Sequence, residues 1–144
     1  DLPLSDACRN AGAEVLTPDT DPPDMKASIR HALEHLFETS HPAPADVWLL
    51  APADQPRLST TVARQLLAEH NPQQPAILVP TLAGRRGHPV LFPWPCAAEV
   101  ARLADDEGVN RLLTRCAVRW LPTDDPAIVD DLDTPEDYER LQKG

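Results

Sequence analysis

The sequence predicts an α/β fold with a mostly parallel sheet. Segments 46–51 and 75–80 are continuous apolar runs of strand length, and residues 116–121 form a third strand-like segment. Continuous apolar runs are typical of central strands that are covered on both faces. Segments with helical spacing of apolar residues alternate with these strands, an arrangement that favours βα units.

The first forty residues are predicted to contain two helices separated by a loop. The shorter helix covers residues 4–11, and residues 13–16 are a brief apolar run that predicts a strand. Segment 18–24 is rich in proline and aspartate and predicts a loop. Apolar residues then recur at helical spacing, which predicts a helix over 25–39 with Asp24 as its N-cap.

The rest of the chain is predicted to alternate strands with helices. The predicted strands and extended segments are 46–51, 75–80, 89–92, 116–121 and 127–129. The predicted helices begin after Ser59 or Thr60, at about 95–104, at about 107–115, and after Thr134 with Pro135 in the first helical position. In such folds ligands bind beyond the carboxyl ends of the strands, so the candidate site residues should lie there.

Length and charge restrict the classes of protein and of partner. The 144 residues correspond to one domain over 1–144. Thirteen basic and twenty-three acidic residues give a net charge of −10. Because nucleic acids and anionic membranes are also negatively charged, we expect neither as a partner.

The cysteines and the hydropathy pattern indicate the cellular compartment. Cys8, Cys96 and Cys116 are widely spaced and form no C-x-x-C pair, which excludes a disulfide framework and a cysteine zinc site. No apolar run approaches the ~20 residues of a membrane span, and the first residues do not resemble a signal peptide. We therefore expect a cytoplasmic protein.

Asp54 is the first candidate site residue, because it follows the predicted strand 46–51. A carboxylate in that crevice suits a hard cation, which is commonly bound by one or two carboxylates and by substrate phosphates. The alternative is that Asp54 caps a turn ahead of Pro56.

The second candidate is the loop 84–89, in which two glycines flank Arg85 and Arg86. Guanidinium groups bind phosphate bidentately, so this positive loop in an acidic chain suits an anionic substrate. The alternative is a solvated hairpin tip. His88 is either a donor to the substrate or a turn residue.

The third candidate is the acidic segment 130–137. The positive end of a helix dipole accounts for Glu136 and Asp137 at a helix start. It does not require Asp131 and Asp133, which leaves those two carboxylates for a functional role.

One motif points to a different chemistry. Residues 31–35 match the H-x-x-E-H pattern of zinc proteases. On the predicted helix the two histidines and Glu34 lie opposite the apolar stripe, and a solvated polar face explains them. The sequence offers no convincing third zinc ligand, so we interpret this motif as part of the solvated surface of the helix.

Taken together, five segments resemble the MobA/MocA-like nucleotidyltransferases, and within them the molybdenum cofactor cytidylyltransferase branch. They occur in the order expected for that family. The segments are 25–30, 49–56, 84–92, 103–113 and 131–138.

The resemblance implies a three-layer, mostly parallel Rossmann-like sheet of the nucleotide-diphospho-sugar transferase type. It implies transfer of a nucleotidyl group from an NTP, CTP first and GTP second, to a phosphorylated pterin such as molybdopterin. Mg²⁺ would be the cofactor. The implied roles are metal binding and catalysis for Asp54 and Asp133, with Asp131 as the substitute, nucleotide binding for Ser28, and acceptor binding for Arg85, Arg86, Gly87 and His88.

The family's opening strand and glycine-rich phosphate loop have no counterpart here. The five glycines lie at 12, 84, 87, 108 and 144, so the domain is expected to be N-terminally incomplete, as a fragment or as a shortened homologue. Two expectations follow: weak or absent transfer by this chain alone, and self-association through an exposed sheet edge. The alternative function is a non-catalytic module that binds a pterin or a protein.

Overall fold

The structure, a computed structural model, describes residues 2–55, 57–130 and 134–143. The chain divides into two compact units, Asp1–His41 and Pro42–Gly144.

The first unit contains two helices, α1 (Leu2–Asn10) and α2 (Met25–Ser40). The side chain of Asp24 accepts a hydrogen bond of 2.7 Å from the N–H of Ala27, which confirms the predicted N-cap of α2. Helix α2 buries Ile29 and Leu33 of its predicted apolar stripe. The strand predicted at 13–16 is wrong, because these residues form no ladder with any described segment.

The second unit is built on a five-stranded sheet. Its strands are β1 (Val47–Leu50), β2 (Ile77–Leu82), β3 (Arg85–Arg86), β4 (Val90–Pro93) and β5 (Val118–Pro122). The order is β1–β4–β2–β3, and β5 pairs with β2.

The main strands run in one direction. Strands β2 and β5 are parallel, and β1 and β2 are both antiparallel to β4, so β1, β2 and β5 share a direction. The predicted α/β class is confirmed. The insertion of β4 between β1 and β2 makes the sheet mixed, a feature that the local pattern did not predict.

The centre of the sheet is apolar on both faces. Residues 76–80 are all buried, as the continuous apolar run predicted. Trp48 of β1 and Phe92 of β4 are cross-strand partners whose rings stack at 4.2 Å, an arrangement that adds to the burial of the two side chains.

Helices follow the strands at about the predicted places in the sequence. They are α3 (Thr60–Glu69), α4 (Cys96–Ala101), a 3₁₀ turn (Val109–Arg111) leading into α5 (Leu112–Arg115), and α6 (Pro135–Lys143). Helices α3 and α4 contact the sheet. Thr134 and Asp137 exchange hydrogen bonds at the start of α6 as a capping pair, and the predicted helix start after Thr134 is confirmed.

Residues 127–129, predicted to be extended, belong to a 3₁₀ helix over Pro126–Val129. Its physical cause is local. The carboxylate of Asp125 caps the turn through the N–H of Ala127 at 3.0 Å, and proline occupies the first helical position. Ile128 in this helix is completely buried.

Within the described residues, no helix combines the length and the apolar character needed to cross a membrane.

Ser59 connects the start of α3 to the 3₁₀ helix. Its hydroxyl accepts from the N–H of Val62 at 3.2 Å and donates to Asp125 at 2.5 Å. The bond from Ser59, with a second from the backbone of Ala127, holds the pKa of Asp125 below its ordinary value of 3.8.

Ser59→Ala is therefore expected to lower the free energy of unfolding at neutral pH by about 1–2 kcal/mol, the usual cost of losing an N-cap. A carboxyl whose pKa is lowered by folding stabilises the fold above its ordinary pKa, and the effect is lost as pH falls through the folded value. Urea unfolding of the wild-type chain and of Ser59→Ala between pH 7 and pH 3 measures this loss. The difference in the free energy of unfolding between the two should narrow below about pH 4. The control Thr61→Ala, at an exposed position of the same turn, should change little. A constant difference across this pH range would contradict the role assigned to Asp125.

Candidate functional site

The second unit contains a cavity of about 230 Å³ where β1 ends. Leu50, the last residue of β1, lies in its lining, as does Val79 of the central strand β2. The remaining lining residues are Arg86, Gly87, His88, Val90, Phe92, Val109, Asn110 and Leu113. The cavity therefore has apolar walls with a few polar groups, the usual composition of a small-molecule site.

The loop between β3 and β4 reaches the cavity because its backbone is bonded on two sides. The N–H of Gly87 donates to the carbonyl of Pro80 at 2.9 Å, and the N–H of His88 donates to the carbonyl of Ile128 at 2.9 Å. Gly87 also lies against Ile128 so closely that a Cβ atom there would stand 2.6 Å from its side chain. Only glycine permits this approach.

The two adjacent arginines of the segment 84–89 form strand β3, which pairs with the end of β2. Ala83 and Gly84 have positive φ values and make the tight turn, so the hairpin considered as the alternative is present. Successive strand side chains point to opposite faces, and of the two arginines Arg86 lines the cavity. Arg86 forms no ion pair with any carboxylate in the described ranges.

His88 joins the loop between β3 and β4 to the segment that follows β1. Its Nδ1 lies 3.3 Å from Nε2 of Gln55, which is buried at 8% exposure. Two of the segments that carried the family resemblance, 49–56 and 84–92, therefore meet in one hydrogen-bonded contact. His88 thus has a structural partner as well as a place in the cavity lining.

Val109, Asn110 and Leu113 form a further part of the cavity lining, named here the cavity wall. Glu107 fixes the turn before it. Its carboxylate accepts hydrogen bonds from the backbone of Ala104 at 3.0 Å and from Arg111 and Arg115 at 3.2 and 2.7 Å. The backbone bond from Ala104, and then the two arginine charges, hold the pKa of Glu107 below its ordinary value.

Asp54 lies in an exposed turn after β1, outside the cavity lining. Three residues later, Arg57 forms an ion pair of 3.8 Å with Asp130. The loop that carries Asp54 is thus joined to the end of the segment that leads to residues 131–133. Asp133 and its substitute Asp131 lie outside the described residues.

Ser28, the predicted nucleotide-binding residue, belongs to the first unit. It lies exposed in the first turn of α2, where its hydroxyl donates to the carbonyl of Asp24 at 3.3 Å. In the same unit, His35 of the H-x-x-E-H pattern contacts Glu14 at 2.7 Å. No group of three or more histidine, cysteine or acidic side chains in the described part of the chain is arranged to hold a metal ion.

Two polar residues of the site were not predicted from the sequence as candidate site residues. Gln55 lies within a segment that carried the resemblance, and its bond to His88 depends on tertiary contact alone. Asn110 was detectable in principle, because it is a polar residue between Val109 and Leu113 in a segment predicted to be helical.

Comparison with known proteins identifies the class of this domain. The family model for the MobA-like NTP transferase domain matches residues 2–123. The chain belongs to this family, and its fold is that of a nucleotidyltransferase domain. A search of curated proteins found no significant match.

Solved structures of similar proteins have the same fold. Rv0371c from Mycobacterium tuberculosis H37Rv is 30% identical at a TM-score of 0.68, over 97% of this chain and 71% of that one. The structure of Rv0371c in complex with manganese is 29% identical at 0.66, over 97% and 74%. Molybdopterin-guanine dinucleotide biosynthesis protein A from Archaeoglobus fulgidus, 19% identical over 99% and 74% at 0.69, shows the shared fold alone.

Gly87→Ala tests the close approach of the loop between β3 and β4 to Ile128. Because the added methyl group would meet both backbone and side-chain atoms, we expect a loss of about 1–3 kcal/mol in the free energy of unfolding. Urea unfolding measures this loss. The matched control is Gly108→Ala, since Gly108 has an ordinary φ of −91° and open space around its Cβ position. Equal stability of the two variants would contradict the contact.

Proposed function

We propose that this domain transfers a nucleotidyl group from an NTP, with CTP preferred, to a phosphorylated pterin such as molybdopterin. The observation that carries the proposal is the cavity beside β1, which has apolar walls and an arginine without a described carboxylate partner. Membership of the MobA-like family supports the reaction class. The name of the Archaeoglobus fulgidus neighbour suggests the pterin pathway.

The volume and the lining of the cavity favour the acceptor as its ligand. Cavities for drug-sized ligands usually measure ~300–1,000 Å³, so 230 Å³ suits one fused heterocycle better than a whole nucleoside triphosphate. The flat ring would pack on Phe92 and Leu113, while the Asn110 amide can donate to and accept from its polar edge. Arg86 at the same cavity would bind the acceptor phosphate.

In the proposed reaction, an oxygen of the acceptor's terminal phosphate attacks the α-phosphorus of the NTP, and pyrophosphate leaves. Positioning and charge neutralisation dominate such a step. Arg86 would offset the negative charge of the attacking phosphate and orient it. His88, fixed by Gln55 on one side and by the carbonyl of Ile128 on the other, would keep the loop in place during the step.

A divalent cation is the proposed ligand of Asp54 and Asp133. Asp54 and Asp133 would supply carboxylate oxygens, the ligands that Mg²⁺ and Mn²⁺ prefer. The ion pair between Arg57 and Asp130 supports the proposal only by placing residue 130 beside the loop that carries Asp54. A bound cation would neutralise phosphate oxygens, and the manganese complex of Rv0371c is consistent with such an ion in a relative.

The second candidate function is a pterin-binding module without transfer. It is favoured by the observation that neither Asp54 nor Ser28 belongs to the cavity lining. Pterin binding in that case would need neither an NTP nor a cation.

Incubation of the chain with molybdopterin, Mg²⁺ and CTP or GTP, followed by assay of pyrophosphate, distinguishes the two functions. The transferase predicts pyrophosphate release that is weak in this chain alone and that requires all three components. Calorimetric binding of molybdopterin without any pyrophosphate would favour the module instead. Absence of both signals would contradict both candidates.

Arg86→Ala is expected to weaken acceptor binding about ten- to a hundredfold, the value of one hydrogen bond to a charged group. Calorimetry with molybdopterin measures the effect, and the affinity for CTP should not change. Arg85→Ala removes the same charge from the other face of β3 and should have the smaller effect. Equal losses in the two variants would show that general charge, not placement in the cavity, binds the acceptor.

Asp54→Ala should reduce the affinity for Mn²⁺ at least about tenfold, because one carboxylate of the proposed pair is lost. Titration of Mn²⁺ followed by electron paramagnetic resonance measures free and bound metal. Asp124→Ala is the matched control, since Asp124 is also an exposed carboxylate of the second unit. An unchanged affinity in Asp54→Ala would mean that Asp54 is a turn residue.

A further inference from the structure

Two cysteines that are far apart in the sequence are neighbours in the second unit. Cys96 is the first residue of α4, and Cys116 directly follows α5. Their sulfur atoms lie 3.5 Å apart, with the Cys96 thiol donating toward Cys116. We propose that Cys96 and Cys116 are a redox-active pair, which peroxide oxidises to an internal disulfide and a dithiol reduces again.

The geometry needs only a small movement to form the bond. A disulfide has an S–S distance of ~2.05 Å, so the two sulfurs must approach by roughly 1.5 Å. Both residues lie at the ends of short helices that pack against each other, α4 and α5. Reversible cysteine pairs of this kind occur in reducing compartments, where permanent disulfides are rare.

The environments of the two thiols suggest the order of the chemistry. Cys116 is partly exposed, whereas Cys96 is buried at 7% exposure, so an oxidant reaches Cys116 first. Burial, and then the hydrogen bond to Cys116, raise the pKa of the Cys96 thiol to about 12. Cys96 therefore stays protonated while Cys116 reacts, and its sulfur, 3.5 Å from that of Cys116, makes it the resolving thiol.

The electron balance is that of a thiol pair and one peroxide. The Cys116 sulfur attacks one peroxide oxygen, the O–O bond breaks, and sulfenic acid and water form. The Cys96 sulfur then attacks the Cys116 sulfur. The S–O bond breaks, and the departing oxygen takes the Cys96 proton and leaves as a second water. Two thiols are oxidised and one peroxide is reduced to two waters.

The new bond would close a loop that contains the whole cavity wall. Val109, Asn110 and Leu113 lie between the two cysteines in the sequence. A link across about twenty residues restricts the unfolded chain and stabilises the folded one. Oxidation would therefore limit the motion of the wall, and reduction would release it.

Mass spectrometry of the folded chain tests the pair directly. After a few equivalents of hydrogen peroxide, the intact mass should fall by two hydrogens, and dithiothreitol should restore it. Trypsin separates the three cysteines into peptides 1–9, 87–102 and 116–119. The oxidised sample should contain 87–102 linked to 116–119, and its urea midpoint should be higher than that of the reduced chain.

The control Cys8→Ser should give the same result, and Cys116→Ala should abolish both the link and the midpoint shift. Three outcomes would overturn the proposal: a link that involves Cys8, a link that forms only in urea, or oxygen addition at Cys116 without any link.

Discussion

Residues 87 and 128 approach each other so closely that no side chain fits at 87, and the N–H of His88 bonds the carbonyl of Ile128 beside this contact. The contact attaches the loop between β3 and β4 to the 3₁₀ helix over Pro126–Val129. Without it, Arg86 and His88 would belong to a free hairpin. With it, they line a cavity beside the end of β1.

The same 3₁₀ helix connects the other parts of the site. Before it, Asp125 bonds Ser59 at the start of α3, and after it, Asp130 pairs with Arg57 in the loop that follows β1. Loops from separate strands therefore converge on one short segment, in which Ile128 is buried. This explains how a chain with few long elements can position side chains for a reaction that depends on placement more than on reactive groups.

The distribution of charge also favours an anion at the cavity. The chain has a net charge of −10, and Arg111 and Arg115 are both paired with Glu107. Arg86 has no such partner among the described carboxylates, so its charge remains available to an anion at the cavity. A local cation in an acidic protein is selective, because the surrounding field repels anions that lack a specific site.

Local pattern was sufficient for most of the elements. Apolar runs predicted β1 and β2, and capping residues predicted the starts of α2, α3 and α6. The misses have distinct causes. Segment 13–16 had no partner strand, the 3₁₀ helix at 126–129 depended on a proline and an aspartate cap, and β4 acquired its place through pairing distant in sequence.

The site was predicted in part. The family resemblance directed attention to the loop at 84–89, and Arg86, Gly87 and His88 do line the cavity. The roles of these residues, and those of Ser28, Arg85, Asp54 and Asp133, remain predictions. The contact between Gln55 and His88 and that between Cys96 and Cys116 were beyond sequence reasoning, since each joins segments that only the tertiary fold brings together.

The most direct test of this account is an anomalous difference map from crystals of the chain grown with Mn²⁺. The proposed metal site predicts one manganese peak in direct contact with carboxylate oxygens of both Asp54 and Asp133, next to the hairpin that carries Arg86. A crystal structure in which these two carboxylates lie on opposite sides of the sheet, with manganese bound elsewhere, would contradict the proposed metal site.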